Sequence, residues 1–313
     1  MAESKMAVYG AMGANVAIAV TKFIAAGITG SSSMLSEGIH SLVDTGNGCL
    51  LLVGMARSKR PPTREHPYGH GKELYFWSLM VGVLIFGAGG GISFYEGVLH
   101  VRHPAPLEDA TWNYAVLAFA TLFESISFAI GLRQFNAERK GKPVIASLQN
   151  SKDPSLLSVL AEDSAALAGL VIAAIGVFLS HALNEPIIDG IASMAIGVLL
   201  AGVAVVLIHQ SRGLLVGEGI SATTASRIRA LAEAEPAVLE VGPILSMYIG
   251  PDEALVTLAV QVNPVLPSGE VAHAVERIES QIRALFPPIR RVYIEISPPG
   301  RKPAGNPTAG RRA

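Results

Sequence analysis

Four polar residues recur inside one strongly apolar stretch of the chain: Glu37, His40, Asp44 and Asn47. Their spacings are three, four and three, so an α-helix carries all four on one face. Leu35, Ile39, Leu42 and Val43 fill much of the remainder. A histidine and an aspartate four apart on a helix have Cβ atoms about 5–6 Å from each other, close enough to share one cation. The same face could also serve as a polar seam between helices. A second polar set lies in Ser158-Val159-Leu160-Ala161-Glu162-Asp163-Ser164. Adjacent helical side chains point about 100° apart, so one of the two carboxylates meets a given neighbour. Asp163 is the expected partner of the His40/Asp44 face, with Glu162 as a fourth ligand, a proton carrier or an interhelical bond. Glu124 is a further acid in an apolar run, either structural or part of a proton path, and Glu37 is a second candidate for that path. His and carboxylate ligands must be deprotonated to hold a metal, so an ion loaded at such a site displaces protons.

The elements that must position these groups are membrane helices. Half of the 313 residues are hydrophobic and only 16% are charged. A soluble domain carries about a quarter charged residues, and the mean hydropathy of +0.43 points the same way, to a lipid bilayer. A net charge of −1 gives no electrostatic handle for nucleic acid. The single cysteine, Cys49, excludes an intrachain disulfide and a Cys₂ or Cys₄ zinc site. From Met6 onward the N-terminus reads as a span and not as a cleaved signal peptide.

A membrane helix needs about 20 mostly apolar residues. Six stretches qualify: Met6–Ile28, Ser33–Met55, Leu74–Gly97, Trp112–Leu132, Ser155–Leu183 and Ile187–His209. Thr29-Gly30-Ser31-Ser32 is a tight turn that makes the first two antiparallel neighbours, and prolines punctuate the other connections. Gly87 and Gly91 are expected to let the third span pack closely. Basic residues gather in the second-to-third connection (Arg57, Lys59, Arg60, Arg64, Lys72) and the fourth-to-fifth (Arg139, Lys140, Lys142, Lys152). The third-to-fourth has Arg102 offset by Glu108 and Asp109, and the fifth-to-sixth has Glu185 alone. That asymmetry puts both termini in the cytoplasm, with a bacterial inner membrane as the expected location.

Beyond residue 210 the pattern changes. Ala222–Glu235 reads as a helix, and Val238–Ile249 and Ala254–Val262 read as strands, the latter with Val256, Leu258, Val260 and Val262 on one face. A helix follows through Leu285 with Ser268 as its N-cap, and Arg291–Ile296 is a last strand. The fold class is therefore a membrane all-α six-helix bundle (1–210) followed by a small cytoplasmic α+β domain of αββαβ, ferredoxin-like order (211–297). The tail, 298–313, is rich in Pro, Gly and Arg and reads as disordered.

Three segments carry a family resemblance. Ser36-Glu37-Gly38-Ile39-His40-Ser41-Leu42-Val43-Asp44 and His66-Pro67-Tyr68-Gly69-His70-Gly71-Lys72 are similar to the two signature segments of the cation diffusion facilitator family. Asp189-Gly190-Ile191-Ala192-Ser193 resembles the family's start of the sixth span. The resemblance runs from about Met6 to Leu285. It implies a homodimer that exchanges cytoplasmic Zn²⁺, or a similar ion, for protons by alternating access. It implies no enzyme and no cofactor beyond the transported ion. His66 and His70 are candidates for a secondary loop site, although Thr63 stands where some members have Asp. Val159 stands where many members have His or Asp, and the Glu162-Asp163 pair resembles a branch with adjacent Glu and Asp. In the C-terminal domain only His273 matches the histidines of zinc-binding members, so a regulatory zinc cluster is not expected there.

The same residues admit two other classes. A membrane-embedded metalloenzyme with His40 and Asp44 as ligands needs a nucleophile or general base that no loop supplies. A scaffold would use the seam for structure alone. One histidine among carboxylates suits Zn²⁺ but also Mn²⁺, Fe²⁺ and Co²⁺.

Overall fold

The structure is a computed structural model that describes residues 2–104, 111–139, 143–144 and 152–297. Glu108, Asp109, Lys140, Lys142 and the 298–313 tail lie outside the described residues. The chain forms two compact units, Met1–Arg57 with Glu73–Arg212 and Ser58–Lys72 with Gly213–Ala313.

Among the described residues, six long helices build the first unit: α1 (Ala2–Thr29), α2 (Ser32–Ser58), α3 (Glu73–Arg102), α4 (Thr111–Arg139), α5 (Pro154–Leu183) and α6 (Ile187–Val216). The last four are long and apolar enough to cross a membrane. The described apolar part of α1 runs Asn15–Thr29. α2 has the length, but its polar face lowers its hydropathy. Met34, Val81, Ile85, Leu117, Leu170 and Ile196, drawn from five of these helices, are buried together in the core.

Local chemistry sets several ends. Gly30, at φ 68°, lets α1 turn straight into α2. Asp153 caps α5 by accepting from Ser155 N at 2.9 Å, with Pro154 in the first turn, where its missing N–H costs nothing.

α3 widens into a π-helical stretch over Ile85–Gly91. There its backbone lies directly against α6. A Cβ on Gly90 would sit 3.0 Å from Ala201 N and Gly197 O, and one on Gly97 would sit 2.6 Å from Met194 N. The α3 glycines packed closely on α6 are therefore Gly82, Gly90 and Gly97, and not the expected Gly87 and Gly91. A Cβ on Gly87 would meet nothing within 4 Å, and one on Gly91 would meet only its own helix at Phe86 O. The wider turn shifts the side-chain period by about a residue and turns a different glycine toward α6.

The second unit contains α7 (Ala222–Glu233), β1 (Val238–Gly250), β2 (Glu253–Val262), α8 (Ser268–Leu285) and β3 (Ile289–Ser297). The sheet order is β1-β2-β3, antiparallel between the first pair and parallel between the second. A parallel pair needs a long crossover, and α8 supplies it. Ala254, Val256, Leu258 and Val260 alternate on the buried face of β2 and pack with Ile228 of α7 and Ile278 and Ile282 of α8. Ser221 caps α7 through Thr224 N. For α8 the expected cap is displaced: Ser268 is its first residue, Pro267 holds the cap position, and no side chain caps it. The Ser58–Lys72 segment belongs to this unit. Tyr68 lies under the Arg291 guanidinium at 5.2 Å, Lys72 Nζ donates to Leu215 O at 3.3 Å, and Gly71 packs on the Ile249–Gly250 backbone.

Candidate metal centre

α2 turns its polar face inward. Glu37 and Asn47 are fully buried, His40 is 1% exposed and Asp44 12%. His40 Nδ1 and Asp44 Oδ1, one helical turn apart, stand 3.4 Å from each other. Neither His40 ring nitrogen nor Asp44 Oδ1 makes a hydrogen bond, although all are buried. Buried polar atoms of folded proteins are nearly always hydrogen-bonded. Such atoms call for a partner, an ion or a water.

α5 brings its acidic pair to this region in an unequal way. Glu162 is buried and faces Asn47, with its Oε1 unbonded. Asp163 is half-buried and accepts from Ser127 Oγ of α4 at 3.0 Å. Both carboxylates, together with Glu124 of α4, lie within electrostatic reach of Asp44. Glu124 is itself buried. Among the described residues, no three His, Cys, Asp or Glu side chains converge closely enough to hold an ion. The structure thus juxtaposes His40 and Asp44, presents Glu162 to the same face, and ties Asp163 to α4.

The loop histidines are in the second unit. His66 and His70 have ring centroids 4.6 Å apart, and Thr63 hydrogen-bonds the His66 backbone. His273 is exposed beside Glu276.

Two features escaped the sequence reading. Lys22 of α1 is completely buried, and its Nζ donates to Glu37 Oε2 and Ser41 Oγ, each at 2.9 Å. One charge inside a long apolar run was the available signal, since an unmatched ammonium there costs several kcal/mol. Asp189, noted only for a resemblance, anchors the start of α2. Its buried carboxylate accepts from the backbone N–H groups of Ser32 and Ser33 and from the hydroxyls of Ser31 and Ser33. An anion at a helix N-terminus satisfies otherwise unpaired N–H groups and complements the dipole. Four residues on, Ser193 bonds Ser36 of α2 and donates to Ser93 O of α3 at 2.9 Å. α2, and with it His40 and Asp44, is therefore held to α6 and α3 by a hydrogen-bonded knot.

Residues 8–216 match the family described as the cation efflux transmembrane domain. The chain is 36% identical over 231 residues, 73% of its length, to the human protein named proton-coupled zinc antiporter SLC30A9, mitochondrial. It is 30% identical over 250 residues, 79% of its length, to metal tolerance protein C4 of Arabidopsis thaliana. It is 29% identical over 273 residues, 85% of its length, to magnetosome protein MamM of Magnetospirillum gryphiswaldense. The matched stretches span 41%, 55% and 78% of those relatives. A solved structure of the MamM CTD aligns with 25% of this chain and 96% of its own, at 17% identity and a TM-score of 0.23. With two thirds of its residues matching that transmembrane domain, the chain belongs to the cation efflux family, whose members are integral membrane transporters.

Proposed function

We propose that this protein carries a divalent metal cation, Zn²⁺ first among the candidates, out of the cytoplasm in exchange for protons. The observation that carries the reading is the buried α2 face, on which His40 and Asp44 offer unbonded atoms inside a bundle of this family. The name of the human relative, a proton-coupled zinc antiporter, supports the choice of ion and the coupling.

His40 and Asp44 form the standing half of the site. The α5 carboxylates, Asp163 and Glu162, complete the shell when α5 moves toward α2, which releases Asp163 from Ser127. One nitrogen and several carboxylate oxygens in tetrahedral array suit Zn²⁺. Because each ligand binds metal only when deprotonated, loading the ion expels protons and protonation from the far side expels the ion. Glu124, buried beside this site, is the candidate route for those protons. Residues 1–210 form the membrane domain and 211–297 a cytoplasmic domain of a homodimer, with both termini cytoplasmic and a bacterial inner membrane as the location.

The test is flux in proteoliposomes across Zn²⁺, Mn²⁺, Fe²⁺ and Co²⁺ under an imposed pH gradient. The expected result is zinc movement that accelerates when the receiving side is acidic. Zinc movement indifferent to the gradient removes the proton exchange, and no movement of any of the four removes the reading.

A further inference from the structure

Within the polar seam, one charge is a cation. Lys22 and Glu37 are both completely buried, joined at 2.9 Å between α1 and α2. The second Lys22 bond, to Ser41 Oγ, is also 2.9 Å and places the ammonium one residue from His40. Glu37 Oε1 makes no hydrogen bond and lies against Gly169 of α5, where any side chain would collide with it. Glu37 is thus a carboxylate on the ligand face of α2, three residues before His40, with one oxygen held by lysine and the other pressed on bare backbone. Lys22 is within electrostatic reach of His40, Asp44 and Glu124.

Resting on the transport site proposed above, we infer that Lys22 determines how tightly that site binds its ion, acting as a resident cation that keeps Glu37 out of the ligand shell. Two neighbouring effects follow with opposite signs. Remove the ammonium, and Glu37 becomes an additional anion on the face of His40 and Asp44. A divalent ion is then bound more tightly and leaves more slowly. Remove the Glu37 charge, and the ammonium is left facing Asp44, where it competes with the ion. A pair that only fastens α1 to α2 would give both losses the same sign, because each leaves one buried charge unmatched.

The experiment measures equilibrium Zn²⁺ binding and zinc flux with the full-length chain at one fixed pH, for the wild type, Lys22→Gln, Glu37→Gln and the double variant. Lys22→Gln is expected to lower Kd at least about tenfold and to slow maximal flux, and Glu37→Gln to raise Kd at least about tenfold; bare Coulomb attraction between unit charges about 4 Å apart, at an effective dielectric near that of buried protein sites, sets a ceiling of about a thousandfold or more. The double variant restores the wild type's zero net charge at this pair, and its Kd is expected within about threefold of the wild-type value. Shifts of the same sign in the two single variants overturn the inference. So does a Kd for the double variant as far from wild type as the worse single variant. Recovery of folded double variant with neither single variant recoverable assigns the pair to structure and also overturns it. The Kd order is read without flux, so a wild type that binds zinc but moves none sinks the transport reading and leaves this test standing.

Discussion

The two units of this protein handle charge in contrasting ways. In the second, Arg291 meets Glu253 at 2.8 Å, with both side chains about a third exposed, and Arg277 meets Glu235 from a position open to solvent. Water screens such pairs, and they contribute little to stability. In the first, Lys22 and Glu37 pair at nearly the same distance with no exposure at all. There a lone charge costs several kcal/mol, and the two charges match each other. The difference lies in environment and not in geometry.

The sharpest way to break this contrast is to remove a carboxylate that has no resident counter-charge. Asp44→Ala and Asp163→Ala are each expected to abolish metal flux while the proteins still insert and elute as the wild type does, because a divalent ion in a low-dielectric site cannot spare an anionic ligand. Flux at the wild-type rate from either would remove that residue from the site. A smaller effect belongs to a buried carboxylate with a structural task. Asp189→Ala strips the anionic acceptor from the start of α2 and should cost about 3 kcal/mol, the scale of hydrogen bonds to a charged group lost in a buried setting. A lowered thermal midpoint in detergent, with residual flux in the folded fraction, is the expected outcome; an unchanged midpoint contradicts the capping role. The smallest effect lies in the second unit. Glu253→Gln should cost about 1 kcal/mol or less, read as a marginal rise in hydrogen exchange of the β2 and β3 amides. A change as large as that at Asp189 would erase the contrast between the units.

Much of this arrangement was legible in the residues. The period that places Glu37, His40, Asp44 and Asn47 on one face is a property of any α-helix, and the buried face follows it. The αββαβ order was readable because β2 alternates cleanly, Val256, Leu258 and Val260 facing one way. What could not be read were relations between helices. Nothing local to Lys22 says that its ammonium meets a carboxylate fifteen residues away. Nothing local to Asp163 says that Ser127 holds it. Gly87 and Gly91 misled because their spacing assumes an ordinary α-helix, and the π-helical turn of α3 breaks that period at the place where it was used.

The Asp189 knot also bears on how the chain is assembled. Synthesis runs from the N-terminus, so α2 emerges long before the carboxylate that receives its first amides; Ser32 and Asp189 are 157 residues apart. Until the final span enters the bilayer, the leading turn of α2 must borrow its hydrogen-bond partners from water or headgroups. Arrival of Asp189 replaces those borrowed partners with a permanent one and draws that turn down into the protein. The last helix of the first unit is therefore the one that completes an early one, and a chain cut short before Asp189 would retain a second helix with a wet, unanchored end.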